Sequence, residues 1–207
     1  VIDAAESARD IAVINWLKQL PCPSIAIAGE ETDLSRTCDI VVPDLAAAAQ
    51  LAEKVQKRPI AATVLVQLLR GSGNLPVENG LIAESLAYST LQSGPEFQGW
   101  LKGHRAPEPR KHSDNGPAVE MQRIDNTLHL TLNRASNHNA MTVEMRDALV
   151  EALQLVLSDP GITQVMLAAR GKCFSSGGDL TEFGTAPDPA TAHLVRSLAL
   201  PARLLAQ

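Results

Sequence analysis

The chain has 207 residues, of which 45% are hydrophobic and 20% charged, so it can bury a core and form one large or two small domains. A net charge of -5, without any lysine- or arginine-rich run, argues against a nucleic-acid-binding protein. No signal peptide or long apolar span is visible in the sequence. Three widely spaced cysteines form no metal pattern and favour a reducing cytoplasm; they are Cys22, Cys38 and Cys173.

Residues 1–103 predict a small α/β domain of unknown role. A helical apolar stripe covers residues 1–20. Two short apolar runs predict a buried strand at residues 24–28 and a second short strand at 39–42, with a polar loop at 29–36 between them. The run at residues 60–70 fits either a strand or a helix, and its leucine spacing favours the helix. The other predicted helices cover residues 45–57, with Asp44 as the N-cap, and about 81–101.

Residues 104–117 predict a linker between two domains. Three prolines, one glycine and mixed charges over 14 residues cannot bury enough apolar surface to form a structure of their own. His104 and His112 lie close to Asp114 in this segment, which suggests a metal or catalytic site, but exposure to solvent is the favoured interpretation. No metal site is therefore predicted.

The pattern changes after the linker to alternating apolar residues on both sides of Asp125, which predicts a β-hairpin. An exposed polar loop is expected at residues 133–139. Thr142 is then the predicted N-cap of a helix over residues 143–157, and an apolar strand is expected at residues 165–169. This order is typical of a βαβ unit with parallel strands.

The sequence after this last strand has the composition of a backbone binding site. Gly177 and Gly178 allow a ligand to approach the main-chain amides, and a helix beginning near Asp179 would place those amides at its positive end. Asp179 is interpreted as the helix cap with a positioning role. Ser175 and Ser176 lack the G-x-S-x-G spacing of a hydrolase nucleophile and are expected to shape the loop.

Two motifs carry a resemblance to a known family. Residues 171–184, GKCFSSGGDLTEFG, are similar to the segment G-x-x-F-x-x-G-x-D-[LI]-x-E of the crotonase (enoyl-CoA hydratase/isomerase) superfamily. Residues 128–169 are similar to its opening unit, a strand ending in L-N-R-P, an N-A turn, a helix and a strand, although Ala135 replaces the proline. The resemblance covers about residues 121–207 and implies an α/β, crotonase-like ββα-type spiral core, of which residues 118–207 form the N-terminal half.

The resemblance implies an enzyme that processes acyl-CoA thioesters, with coenzyme A as part of the substrate and no other cofactor. The backbone N–H of Gly178 would be one of two catalytic donors that hold the thioester oxygen. A homo-oligomer, trimeric or hexameric, is also implied. The substrate-binding residues that it implies are Asn137, His138, Asn139, Ala140, Ser176, Gly178, Asp179 and Leu180.

Hydration of a 2-enoyl-CoA is the default reaction that the resemblance implies. Isomerase, thioesterase and dioxygenase reactions share the same oxyanion donors, and the acid/base residues belong to the half of the family core that this sequence does not contain. Activity is therefore expected only when that half is supplied. The alternatives are a catalytically silent CoA-binding or assembly subunit, or a truncated chain whose apolar helix at residues 192–206, kinked at Pro201, needs a partner segment.

Overall fold

The computed structural model describes residues 1–3, 11–103 and 113–207. These residues form two compact units, which consist of Val1–Pro76 with Gly94–Gln98 and of Val77–Ser93 with Gly99–Gln207. The domain boundaries at residues 103 and 118 stay a prediction. His104 and His112 lie outside the described residues.

The first unit contains a three-stranded parallel sheet in the order β1-β2-β3. Leu17, Ala26 and Leu34 are fully buried and form its small core. Its strands are β1 (Ile2–Asp3), β2 (Ile25–Ile27) and β3 (Ile40–Val42), and its helices are α1 (Ile11–Gln19), α2 (Asp33–Thr37), α3 (Leu45–Lys57) and α4 (Pro59–Ser72).

The predictions for this unit are largely confirmed, with two corrections. Asp44 caps α3 by accepting a hydrogen bond from the Ala47 amide at 2.8 Å, as expected. The helix predicted over residues 1–20 is wrong at its start, because Ile2–Asp3 pairs as a strand with β2. The polar loop predicted at residues 29–36 contains the start of α2, which a capping box between Thr32 and Ser35 initiates.

The second unit contains a three-stranded sheet in the order β4-β5-β6. Strands β4 and β5 form the predicted antiparallel hairpin, and β6 pairs with β5 in parallel, which confirms the predicted βαβ order. Its strands are β4 (Val119–Ile124), β5 (Thr127–Leu132) and β6 (Gln164–Ala169); the remaining helices are α5 (Val77–Ser93), α6 (Pro95–Gly103), α7 (Val143–Ser158), α8 (Pro189–Leu198) and α9 (Pro201–Leu205).

The core of the second unit lies between this sheet and α7. Alternate residues of β5 point into it, and one stripe of α7 packs against them, since Met145, Leu149 and Leu153 are buried. Leu157, at the end of the same stripe, is exposed. The kinked helix predicted over residues 192–206 is two separate helices, because α8 ends at Leu198 and Pro201 begins α9.

Helix and strand are both well represented, so the predicted α/β class is confirmed. Within the described residues, no helix has both the length and the hydropathy that a bilayer crossing requires.

Candidate functional site

The loop that follows β5, residues 133–142, is held inside the second unit by its own polar side chains; we call it the Asn139 loop. Asn133, Arg134 and Asn139 are at most 6% exposed, so the prediction of an exposed loop is wrong for them. Burial is possible because these side chains bind main-chain groups that would otherwise lack partners.

Asn139 is the centre of the loop. Its side-chain carbonyl accepts a hydrogen bond from the Arg134 amide at 2.8 Å, and its amide group donates to the carbonyls of Arg170 at 2.9 Å and Cys173 at 2.8 Å. Its φ angle of 50° lies in the left-handed region, which asparagine tolerates better than most residues. Asn139 therefore joins the end of β5 to the segment after β6.

Arg134 is buried with its charge paired. Its guanidinium bonds both carboxylate oxygens of Glu144 at the start of α7, with Nε at 3.1 Å from Oε2. Its Nη1 also donates to the carbonyls of Gly116, Pro117 and Asn133, at 3.3, 3.2 and 2.7 Å. The arginine thus fixes the orientation of the loop against α7.

The loop that follows β6, residues 170–184, contains the glycine pair; we call it the glycine loop. The Met141 amide donates to the carbonyl of Gly177 at 2.8 Å, and Met141 and Gly178 form a parallel bridge. Ser175 donates its hydroxyl to the carbonyl of Asn139 at 2.8 Å, in agreement with its predicted role in loop shape. The two loops therefore hold each other in register.

The glycines differ in what they contribute. Gly177 has a φ of 84°, a conformation that other residues adopt only with strain. Gly178 does not, and a Cβ atom there would meet the Phe183 ring at 3.3 Å. Only Gly177 therefore uses the conformational freedom of glycine.

The amide of Gly178 is accessible. Gly178 is exposed, and its N–H donates no hydrogen bond to any residue that the structure describes. The segment after it is a single 3-10 turn, Leu180–Glu182, and not the helix that was expected to add a positive end. Asp179 caps this turn by accepting from the Thr181 amide at 2.8 Å, which confirms its role as a cap.

Gly178 lines a cavity of about 520 Å³ in the second unit, a volume within the range of small-molecule sites. The wall is largely apolar and includes Phe183, whose ring packs edge-on against Tyr88 and Trp100. The lining residues that sequence reasoning did not single out as ligand contacts include Tyr88, Met141, Val143, Arg146, Glu182, Phe183, Val195 and Arg196.

Two of the eight predicted binding residues, Gly178 and Asp179, line this cavity, and the other six do not. Asn137 reaches Asp179 through a 2.9 Å hydrogen bond, and His138 accepts from the Ser176 amide through its carbonyl. Ala140 is buried, and Leu180 is half exposed. The binding roles of all eight residues stay predictions.

The carboxylates in the cavity wall are already engaged. Asp179 accepts from both the amide and the hydroxyl of Thr181 at 2.8 Å. Glu182 accepts from the Val143 amide, with its two oxygens at 3.1 and 3.0 Å, and so covers the start of α7. Both groups stabilise backbone amides, which is a structural use of their charge.

Comparison with known proteins agrees with the motifs. Residues 127–194 match the family model described as enoyl-CoA hydratase/isomerase. Part of the chain thus carries a crotonase-superfamily resemblance. The enoyl-CoA hydratase EchA19 of Mycobacterium tuberculosis is 36% identical over 67 residues, which are 32% of this chain and 25% of that protein. The chain therefore spans about a quarter of the length of this curated crotonase relative.

Solved structures give a similar picture. An enoyl-CoA hydratase of Mycobacterium smegmatis is 32% identical, with 44% of this chain and 35% of that one covered and a TM-score of 0.40. A carnitinyl-CoA dehydratase of Mycobacterium avium is 29% identical, with 32% and 27% covered and a TM-score of 0.31. Because both TM-scores are low, the crotonase resemblance rests on the sequence matches.

Proposed function

We propose that the second unit provides part of an acyl-CoA-processing site of the enoyl-CoA hydratase/isomerase type, in which the Gly178 amide stabilises the oxyanion of a thioester enolate. The observation that carries this proposal is the exposed Gly178 N–H, which has no hydrogen-bond partner among the described residues and borders the cavity. The match of residues 127–194 to the enoyl-CoA hydratase/isomerase family supports it.

The chemistry follows from where charge develops. When a nucleophile adds to the 2-enoyl thioester, or a proton leaves the carbon beside the carbonyl, negative charge moves onto the thioester oxygen. A positioned amide stabilises that charge by about 3 kcal/mol and needs no reorganisation if its loop is already fixed. The bridge between Met141 and Gly178 supplies this rigidity. No cofactor is required beyond the coenzyme A moiety of the substrate.

The proposed reaction is hydration of a 2-enoyl-CoA, with isomerisation as the neighbouring possibility, and it needs acid/base residues from outside the described cavity wall. Assembly into trimers or hexamers and a cytoplasmic location stay predictions.

A catalytically silent acyl-CoA-binding subunit is the second candidate. The observation in its favour is that both carboxylates in the cavity wall, Asp179 and Glu182, accept hydrogen bonds from backbone amides. A carboxylate engaged in this way has fewer lone pairs available to a substrate. Binding without turnover of the enoyl thioester would favour this candidate.

The test is calorimetric binding of hexanoyl-CoA and of its thioether analogue, which lacks the carbonyl oxygen. We expect the chain to bind the thioester about tenfold more tightly, as one charge-assisted or well-aligned hydrogen bond allows. Gly178→Pro removes the donor and should abolish this difference, whereas Gly178→Ala keeps the N–H and should preserve it.

Because proline at this position can disturb the loop, circular dichroism must show that the variant is folded. The comparison of thioester and thioether with the unchanged chain needs no substitution. Equal affinities of that chain for the two compounds would contradict the proposal.

A further inference from the structure

One charged side chain in the cavity wall has no part in the proposed oxyanion chemistry. Arg196 of α8 is half-buried and lines the same cavity as Gly178. None of the described carboxylates forms an ion pair with it; Glu84 of α5 acts on its guanidinium only at longer range. A guanidinium beside an apolar cavity, without a carboxylate partner, is suited to bind an anion.

The guanidinium is held in a fixed position by neutral groups. Its Nε donates to the hydroxyl of Ser85 at 3.0 Å, and its Nη2 donates to the hydroxyl of Ser89 at 2.6 Å. Its Cζ lies over the Tyr88 ring, 4.6 Å from the ring centroid. Nη1 donates no hydrogen bond to the described part of the chain, so one end of the fork is available to a ligand.

Burial lowers the pKa of Arg196 below its ordinary value, although Tyr88 and Glu84 act in the opposite direction. The charged form has therefore lost solvation, and Tyr88 and Glu84 offset this loss only in part. Arg146, the other arginine in the cavity wall, differs because it is paired with Asp147. Of the two arginines in the wall, Arg196 is therefore the one whose charge an anionic ligand would pair with.

We infer that Arg196 binds a carboxylate carried by the acyl group, so that the substrate class is the monothioester of a dicarboxylic acid with coenzyme A. This inference rests on the proposed function, because it takes the thioester oxygen to lie at Gly178. A chain with a carbonyl at one end and a carboxylate at the other matches a cavity that has an amide donor and a guanidinium in a largely apolar wall.

A phosphate of coenzyme A is the other possible source of negative charge. A diphosphate or phosphomonoester needs several cations or a set of convergent amides. The cavity wall offers Arg196 with one unoccupied donor nitrogen, and Arg146 is already paired with Asp147. The two carboxylates of the wall, Asp179 and Glu182, would repel a multiply charged group. A single carboxylate on an apolar chain therefore fits better than a phosphate.

The experiment compares glutaryl-CoA with 5-methylhexanoyl-CoA, in which two methyl groups replace the carboxylate oxygens. By calorimetry, the chain should bind the glutaryl thioester about tenfold more tightly or better. Arg196→Gln should reduce this preference to about twofold, and Arg196→Lys should give an intermediate value because it keeps the charge without the fork. Arg203→Gln is the matched control, since Arg203 lies outside the cavity and pairs with Glu78.

The outcomes separate this inference from the proposed function. Equal binding of both thioesters, lost in Gly178→Pro, would overturn the carboxylate inference and leave the oxyanion function standing. An equal loss for both thioesters and for free coenzyme A in Arg196→Gln would show that Arg196 binds a phosphate, and would also overturn the inference. If the unchanged chain binds neither thioester, both proposals are wrong.

A second measurement avoids substitution of Arg196. A dicarbonyl reagent modifies accessible guanidinium groups, and mass spectrometry reports the modified fraction of the Arg196 peptide. Glutaryl-CoA should protect this peptide several-fold more than 5-methylhexanoyl-CoA at equal occupancy. Equal protection by the two thioesters would overturn the inference even if the Arg196 variants fail to fold.

Discussion

The Asn139 loop and the glycine loop follow neighbouring parallel strands, and both are rich in small and polar residues, yet they use their backbone groups differently. In the Asn139 loop, the amides of Arg134, Asn139 and Ala140 all donate within the protein. In the glycine loop, the Gly178 amide has no partner among the described residues and lies at a cavity. The first loop is a scaffold, and the second presents a donor.

This difference shows why a binding role cannot be assigned by composition. Asn139 has the residue type of a ligand contact, but its side chain is fully buried and all its polar atoms serve the fold. Gly178 has no side chain and keeps its donor available. A substitution that disturbs one loop should therefore leave the role of the other intact.

The largest effect is expected for Asn139→Ala. The change leaves the Arg134 amide and the carbonyls of Arg170 and Cys173 without their partner, and it places alanine in a left-handed conformation. The free energy of unfolding should fall by about 3 to 5 kcal/mol, because each buried unsatisfied group costs about 1 to 3 kcal/mol. Urea denaturation followed by circular dichroism measures it.

Asn137→Ala is the control for this prediction. Asn137 lies in the same loop and is half-buried, and its side chain donates to Asp179. Its loss should cost about 1 kcal/mol or less. Similar losses in the two variants would show that the Asn139 loop is not a scaffold centred on Asn139.

The elements that could be predicted from the sequence are those with a local sequence pattern. The hairpin, α7 and β6 follow from alternation, an N-cap at Thr142 and an apolar run, and the structure confirms them. The capping box of α2, between Thr32 and Ser35, is also a local signal and was available in the polar segment where a loop was expected. The glycine motif located Gly178 through its resemblance to a family.

The remainder depends on distant partners. Asn139 binds carbonyls that lie 31 and 34 residues further along the chain, so no window around it distinguishes a buried asparagine from a turn residue. Arg196 reaches Ser85 and Ser89 across 111 and 107 residues. A helical pattern predicts that such residues lie on a helix, but it does not predict the cavity that two distant helices line together.

A smaller effect is expected for Glu144→Gln. This change keeps the shape of the side chain but removes the carboxylate that pairs with Arg134, whose side chain is 8% exposed. A buried guanidinium without its anion should lower the free energy of unfolding by about 1 to 3 kcal/mol. Glu151→Gln, an exposed position on the same helix, should change it by less than about 0.5 kcal/mol.

This variant also tests the comparison of the loops. If Glu144→Gln destabilises the chain but leaves thioester binding within about twofold of its original affinity, the scaffold and the donor are separable. A loss of binding much larger than the loss of stability would show that Arg134 also positions the ligand.

The smallest effects are expected within the glycine loop itself. Gly177→Ala forces alanine to a φ of 84°, although nothing lies within 4 Å of the new Cβ atom, so the cost is conformational and about 1 kcal/mol. Gly178→Ala has no such strain and meets only the Phe183 ring at 3.3 Å, which can shift by a few tenths of an ångström. In thermal unfolding, Gly177→Ala should therefore have a lower melting temperature than Gly178→Ala.

Binding should widen the difference between the two glycines. Alanine at 178 keeps the N–H, so thioester affinity should stay within about twofold. Alanine at 177 strains the residue whose carbonyl accepts from Met141, and so it should move the Gly178 amide and weaken binding by more than its stability cost predicts. Equal affinities of the two variants would mean that the bridge to Met141, and not the conformation of Gly177, fixes the donor.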